Sequence, residues 1–294
     1  MPDDDLNNGR RYSITHGLIS LASIFTVGRL VCGFFAINST YTGLLRNSAM
    51  ATRDAGSGAF DRAACAIFIG ILCDGLDGLV ARLTGRASDF GREMDSLVDI
   101  VTFGMAPALL GLFWGVLPAQ QSLAGSARQA LGVAGWIAAC AFLVSGVGRL
   151  ARFNLMQETE SNKDHALGLA IPCAAAVVAA IIHIVKHPIQ TWPFALGWLG
   201  LYVFLSFLMV SRLQYETLRA FPHSLRRGPV LLLLGILAVW LVWLYSGPVL
   251  LAAAAGYAIS GPLAYLTNLF RSQHQQNKTG IPDPEPEARR LPRL

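Results

Sequence analysis

The sequence predicts an all-α membrane protein, a polytopic bundle of about eight transmembrane helices. Of its 294 residues, 53% are hydrophobic and only 14% are charged, whereas a soluble domain carries about 25% charged residues. Apolar stretches of the ~20 residues needed to cross a bilayer recur along the chain. Lys and Arg concentrate in alternate connections between these stretches, a distribution typical of polytopic membrane proteins.

The apolar stretches define the predicted elements in order. An even number of spans places both termini on one side of the membrane. Most of the 23 Lys and Arg residues fall on that side, which we therefore predict to be cytoplasmic. The protein would be a multi-pass protein of the cell (inner) membrane. The eight predicted spans cover residues 18–42, 60–83, 92–117, 129–155, 167–186, 193–212, 229–246 and 248–270.

The chain divides into one membrane domain and two polar ends. Residues 1–17 predict a cytoplasmic or interfacial lead-in, residues 18–270 the membrane domain, and residues 271–294 a disordered cytoplasmic tail. Because the polar residues 2–5 precede any apolar run, we expect no cleavable signal peptide. The net charge of +5 reflects orientation in the membrane and predicts no nucleic-acid partner.

The first predicted helix carries Ser23, Thr26 and Arg29 at intervals of three, a polar stripe on an apolar cylinder. The stripe indicates either a surface that faces a substrate or helix-packing hydroxyls beside a snorkelling Arg. Residues 38–61, rich in Ser, Thr, Gly and Ala, predict a loop on the outer face.

Four aspartates lie in the second and third predicted helices, on either side of a short polar turn. Asp74 and Asp77 are three residues apart, and Asp95 and Asp99 are four apart, so each pair shares one helix face. Folding the two helices back antiparallel brings the four carboxylates together, and their repulsion requires either bound protons or a multivalent cation. We favour a cation. Oxygen ligands suit Mg²⁺ or Mn²⁺ rather than Zn²⁺, and we expect two ions.

Two other interpretations of these aspartates stay open. They could form a solvated loop paired with Arg82, Arg86 and Arg92, although acidic groups beside apolar helices usually mark function. They could also line an ion channel or transporter. That function predicts carboxylates spread through the depth of the membrane, whereas predicted helices four to eight contain no Asp or Glu.

The later helices offer fewer signals. Arg149 and Arg152 share a face at the end of the fourth predicted helix, which suits either an anion site or ordinary interfacial arginines. His183 and His187 are remote from the four aspartates, and we expect them to be structural. The five cysteines show no metal or redox spacing and predict free thiols buried in apolar segments.

The segment from Asp74 to Asp99 matches the pattern D-x2-D-G-x2-A-R-x8-G-x3-D-x3-D. It thereby resembles the CDP-alcohol phosphotransferase family of integral membrane enzymes. The resemblance implies phosphoryl-group transfer from a CDP-activated lipid, CDP-diacylglycerol, in the bilayer by direct displacement, and it also implies a homodimer. The fixed positions of the pattern are Asp74, Asp77, Gly78, Ala81, Arg82, Gly91, Asp95 and Asp99.

The resemblance also implies roles for individual residues. Asp74, Asp77 and Asp95 would hold the metal ions against the diphosphate, while Asp99 would contribute to the metal site and act as the general base for the acceptor alcohol. Arg82 would contact phosphate. The remaining residues expected to bind CDP-diacylglycerol are Gly78, Ala81, Ser88 and Gly91, with Ser23 and Thr26 of the first helix, where the family has Asn-x-x-Thr or a relative of it.

The acceptor alcohol is predicted from stretches outside the shared motif. Residues 149–154, 208–212 and 257–262 resemble the serine-using branch of the family, and a serine carboxylate would suit basic partners. We therefore expect L-serine as the acceptor. The basic residues would equally suit glycerol phosphate or inositol phosphate, and choline would call for an aromatic cage. The predicted acceptor-binding residues are Arg149, Arg152, Asn154 and Arg212.

Overall fold

The computed structural model describes residues 21–49, 56–84, 89–159, 165–211 and 213–216, with residues 251–252, 255–256 and 258–262 of a later helical stretch. These residues form helices joined by short connections, with one short β-ladder. The helices are α1 (Leu21–Ala49), α2 (Ser57–Thr84), α3 (Asp89–Asp99), a π-helix (Ile100–Met105), α4 (Ala106–Gly115), a 3-10 turn (Ala119–Ser122), α5 (Gly125–Thr159), α6 (Ile171–Val185) and α7 (Trp192–Val210).

The predicted helical membrane-protein architecture is confirmed for the described residues, apart from the short ladder. Among the described residues, four helical segments are long and apolar enough to cross a membrane: Ile24–Ser48, Gly91–Ser122, Gly125–Leu155 and Trp192–Val210. Helix α6 is apolar but shorter. Helix α2, with 28 residues, is long enough but more highly charged. The predicted span 229–246 and most of 248–270 lie outside the described residues.

The predicted outer loop at residues 38–61 is wrong for much of its length. Helix α1 continues to Ala49 and α2 begins at Ser57. Three hydroxyls of this stretch are compatible with a helix, because each of the three donates to the carbonyl oxygen four residues earlier. These bonds run from Thr40 to Ala36 (2.8 Å), from Thr42 to Asn38 (2.9 Å) and from Ser48 to Leu44 (2.9 Å).

One antiparallel ladder departs from the all-α prediction. Strands β1 (His165–Leu167) and β2 (Gln214–Glu216) pair across the connections that follow α5 and α7. Gly168 continues the pairing, since its N–H donates to Leu213 O at 2.9 Å. Its φ of +77° lies in the region that glycine adopts without strain. The ladder ties the ends of α5 and α7 together.

Aromatic side chains fix α7 against α4 in the core. The buried Trp198 donates from Nε1 to Gly111 O at 2.9 Å, and Tyr202 donates from its hydroxyl to Pro107 O at 2.7 Å. Both carbonyls belong to α4, which opens with Pro107 in its first turn. The polar ends of these buried rings are therefore satisfied, and α4, together with the π-helix and α3 before it, has a fixed position.

Three small residues bring α1, α2 and the π-helix into close contact. A Cβ placed on Gly33 would lie 2.6 Å from Thr102 Oγ1, and one on Gly70 would lie 2.9 Å from Thr102 Cγ2. Thr102 is fully buried between the two helices. This crossing lies next to Asp99, the last residue of α3, and therefore determines how closely the polar residues of the three helices approach one another.

Candidate active site

Three of the four predicted aspartates converge. Asp95 and Asp99 lie one turn apart on α3, and Asp74 faces them from α2. Each offers one carboxylate oxygen, and the three oxygens lie within 4.8 Å of one another. We call Asp74, Asp95 and Asp99 the acidic cluster. The sequence predicts that all four aspartates converge, and three of them are grouped here.

Arg29 of α1 occupies the centre of the acidic cluster. Its Nη1 pairs with Asp74 Oδ1 and its Nη2 with Asp95 Oδ1, while Asp99 Oδ1 lies 3.2 Å from Nη1. The Arg29 side chain is fully buried. It is therefore an interior counter-charge rather than a snorkelling residue. The sequence contains one signal for this interior role, because a charged residue within an apolar membrane helix usually faces the bundle interior and marks function.

The π-helix holds Arg29 in this position. Thr102 donates from Oγ1 to Arg29 O at 3.2 Å, and the Phe103 ring centroid lies 5.9 Å from the guanidinium carbon. An aromatic face at this distance attracts a cation. A π-helix widens the turn and is often found at functional sites. Sequence reasoning missed Thr102 and Phe103, since neither belongs to the acidic motif.

Asp77 stands beside the acidic cluster with a different partner. Its Oδ2 accepts a hydrogen bond from Thr26 Oγ1 at 2.6 Å, and both residues are buried. Asp77 also interacts electrostatically with Asp95 and Arg29. The polar stripe on α1 therefore faces the acidic segment through Thr26 and Arg29. The Ser23 side chain lies outside the described residues.

The donor set of the acidic cluster fits a hard divalent cation. All three ligands are carboxylates, the chemistry that Mg²⁺ and Mn²⁺ prefer. In addition, Asp99 Oδ1 is buried and lies 3.2 Å from Arg29 Nη1 without accepting a hydrogen bond from the described residues. A buried carboxylate oxygen whose hydrogen bonding is incomplete can serve as a cation ligand. A bound ion would share these oxygens with the Arg29 guanidinium.

The predicted acceptor residues fall into two groups. Asn154 donates from Nδ2 to Ser96 Oγ at 3.0 Å, which ties α5 to α3 next to Asp95. Arg149 is 9% exposed and acts electrostatically on Asp99, and its guanidinium carbon lies 5.1 Å from the Phe153 ring centroid. Both residues therefore border the acidic cluster.

Arg152 has structural contacts instead. Its guanidinium donates to Val210 O at 3.0 Å and to Ser211 O at 3.2 Å. These carbonyls end helix α7, so Arg152 satisfies groups that have no partner within the helix. These contacts explain its position without an acceptor, and acceptor binding by Arg152 stays a prediction. Arg212 lies outside the described residues.

Five of the residues predicted to bind CDP-diacylglycerol lie in or between α2 and α3, and the structure describes the exposure of only two of them. Gly78 is exposed on α2, and Gly91 is half-buried on α3. Ala81 and Arg82 continue α2, but their side chains lie outside the described residues, as does Ser88 entirely. The roles of all five residues in binding CDP-diacylglycerol stay predictions.

Comparisons with known proteins identify the family to which this geometry belongs. Residues 19–260 match the family described as CDP-alcohol phosphatidyltransferase. A relative from Helicobacter pylori (strain J99), named CDP-diacylglycerol--serine O-phosphatidyltransferase, is 30% identical over 226 residues, which cover 76% of this chain and 88% of the relative. A protein of the same name from Bacillus subtilis is 32% identical over 200 residues, covering 68% and 88% of the two chains. One from Methanocaldococcus jannaschii is 32% identical over 149 residues, covering 51% and 61%.

The family match spans most of the chain, including α1 with Arg29 and the helices that carry the four aspartates. The resemblance inferred from the eight motif residues is therefore confirmed: the chain belongs to the CDP-alcohol phosphatidyltransferase family.

Proposed function

We propose that the protein transfers the phosphatidyl group of CDP-diacylglycerol to the hydroxyl of L-serine, giving phosphatidylserine and CMP. The observation that carries the proposal is the convergence of Asp74, Asp95 and Asp99 around one point within the family motif. The names of the relatives from three genera, each a CDP-diacylglycerol--serine O-phosphatidyltransferase, support serine as the acceptor.

The protein's own residues would position the reactants and move the proton. Two divalent ions, Mg²⁺ or Mn²⁺, held by the acidic cluster and Asp77 would neutralise charge on the diphosphate and on the departing CMP. Asp99, whose side chain is 14% exposed, would accept the proton of the acceptor hydroxyl. The acceptor oxygen then attacks the lipid-bearing phosphorus, and the bond to CMP breaks. Arg82 would contact phosphate as a cation.

The acceptor pocket would lie where α5 meets α3. Arg149 is close enough to Asp99 to interact with it electrostatically, so its guanidinium could hold the carboxylate of serine with the hydroxyl toward the base. Asn154 and Ser96 would border the same space. Glycerol phosphate or inositol phosphate would offer Arg149 a phosphate in place of the carboxylate.

A CMP-release assay tests the reaction directly. It contains the purified protein, CDP-diacylglycerol and Mg²⁺ or Mn²⁺, and each acceptor is supplied separately. We expect release with serine and none with glycerol phosphate, inositol phosphate or choline. Release with one of those three but not with serine would reject serine while keeping the reaction class. No release with any acceptor would reject the proposed activity.

We also propose the membrane arrangement that the charge distribution favours. The domain of residues 18–270 would cross the inner membrane eight times, with both termini, the tail of residues 271–294 and the acidic cluster on the cytoplasmic side. Impermeant labels directed at cysteines introduced near each terminus would test the sidedness.

We further propose that the protein acts as a homodimer. Light scattering on the detergent-solubilised protein would measure its mass and so test the oligomeric state.

A further inference from the structure

A second group of metal-ligating side chains lies far from the acidic cluster. Asp61 and Cys65 share one face of α2, and His183 faces them from the last turn of α6. We call these three residues the Cys–His–Asp cluster. Asp61 precedes Asp74 by thirteen residues, so the two clusters are separated by about 20 Å along the α2 axis. Neither the family motif nor the proposed reaction uses these residues.

The three donor atoms face a common point. His183 Nδ1 lies 2.5 Å from Asp61 Oδ1 and 3.8 Å from Cys65 Sγ. Each of the three residues offers one ligand atom, all within 4.8 Å of one another. A nucleophilic relay would contact the thiol with one ring nitrogen and the carboxylate with the other. Here the same nitrogen faces both, which is the arrangement of a coordination sphere.

The ligand types indicate which metal would bind. A thiolate, an imidazole nitrogen and a carboxylate oxygen suit Zn²⁺ and similar borderline ions, not Mg²⁺. In a tetrahedral zinc site, neighbouring nitrogen and sulfur ligands are about 3.5 Å apart, and nitrogen and oxygen ligands about 3.3 Å. Cys65 and His183 already approach the first separation. Asp61 Oδ1 and His183 Nδ1 would have to move apart by less than about 1 Å, and the metal would then replace the hydrogen bond between them.

The surroundings favour such a site. The buried Phe68 packs edge-on against His183, with ring centroids 6.4 Å apart, and so restricts the orientation of the imidazole. Asp61 and His183 are 27% and 13% exposed, which leaves room for a water as fourth ligand. Lys186 interacts electrostatically with Cys65, but the thiolate and carboxylate together supply two negative charges for a divalent ion.

We propose that Asp61, Cys65 and His183 form a zinc-class metal site that fastens α2 to α6 at the end of the bundle opposite the acidic cluster. Binding would release the proton of the Cys65 thiol, and His183 would bind through Nδ1 as the neutral imidazole with its proton on Nε2. Cys65 and Asp61 are four residues apart on one helix, so α2 presents two ligands and α6 the third.

Cobalt(II) is the probe for this site, added to the reduced, purified full-length protein in detergent with excess Mg²⁺ to occupy the acidic cluster. We expect about one equivalent of cobalt to give thiolate-to-cobalt charge-transfer absorption that Zn²⁺ abolishes by displacement. Cys65→Ser and His183→Ala should each weaken binding about 10-fold or more. Cys140→Ser and His187→Ala are matched controls and should keep the absorption, as should Asp99→Asn.

Absence of the charge-transfer absorption in the wild-type protein would overturn the proposal, and so would its persistence in Cys65→Ser. A second measurement on the wild-type chain avoids reliance on variants that could misfold. Zn²⁺ should slow alkylation of Cys65 but not of the exposed Cys140, as measured by peptide mass spectrometry. Equal alkylation of Cys65 with and without Zn²⁺ would contradict the site independently of any test of phosphatidyl transfer.

Discussion

Arg29 shows how a single residue can organise a site. It pairs with the carboxylates of Asp74 and Asp95 and lies beside Asp99, so its single positive charge offsets part of the repulsion among the three aspartates. Such a residue has two consequences. It stabilises the metal-free protein, and it competes with a divalent ion for the same oxygens.

Replacing Arg29 by Met, which keeps a long apolar side chain but removes the charge, should separate these consequences. Removing one partner of a buried ion pair costs about 3–5 kcal/mol, so we expect a markedly lower melting temperature in EDTA. Mg²⁺ should then raise the melting temperature of the variant more than that of the wild type, because ion binding no longer displaces Arg29. Thermal unfolding in detergent, with and without Mg²⁺, measures both effects. Equal Mg²⁺-dependent shifts in the two proteins would show that Arg29 does not share the ion's ligands.

Asp99→Asn tests the proposed base. We expect CMP release to fall about 10²–10⁴-fold, the usual contribution of general base catalysis, while CDP-diacylglycerol binding stays nearly unchanged because Asn keeps one oxygen ligand. Steady-state kinetics and a separate binding measurement distinguish the two. Glu93→Gln, on the same helix but exposed, is the control and should keep normal rates. Normal turnover in Asp99→Asn would place the base elsewhere.

At the scale of elements, local sequence patterns predicted most of the helices but not their contacts. Apolar length located the helices that the structure describes, and the i, i+4 spacing of Asp95 and Asp99 predicted their shared face. The sequence did not reveal that Arg29 and Thr102 meet, because their contact joins helices 73 residues apart and depends on packing. The Cys–His–Asp cluster escaped notice for the same reason, since 118 residues separate Cys65 from His183.

The crossing of α1 with the π-helix is the element on which the position of Arg29 depends. In Gly33→Ala, the new methyl would lie 2.6 Å from Thr102 Oγ1, an overlap that should cost about 1–3 kcal/mol of unfolding free energy and move Arg29. We therefore expect lower thermal stability together with reduced CMP release.

Gly28→Ala is the matched control on the same helix. Within the part of the chain that the structure describes, no atom outside the helix's own backbone lies within 4 Å of a Cβ at Gly28, and alanine favours helix over glycine by about 0.5–1 kcal/mol. This variant should be as stable as the wild type or slightly more so. If Gly33→Ala behaves like Gly28→Ala, the close packing at Thr102 does not position the site.

At the scale of the whole molecule, the two clusters divide the bundle into chemically different ends. Carboxylates and Arg29 gather at one end of α2, and a thiol, an imidazole and a carboxylate gather at the other. The first end suits a phosphorylated substrate with hard cations, whereas the second suits a borderline metal. The sidedness of the proposed reaction in the membrane follows from which end faces the cytoplasm.

Proteoliposomes that contain CDP-diacylglycerol, with the protein orientation determined by labelling, would test that sidedness. We expect serine and Mg²⁺ added outside to release CMP only from molecules whose cytoplasmic face is outward, because neither solute crosses the bilayer to an inward-facing acidic cluster. EDTA added outside should inhibit those molecules, and detergent should expose the remainder. Retention of a trapped dye controls for leakage. If intact vesicles with the cytoplasmic face inward release CMP at the same rate, the acidic cluster opens to the opposite side and the orientation inferred from Lys and Arg is wrong.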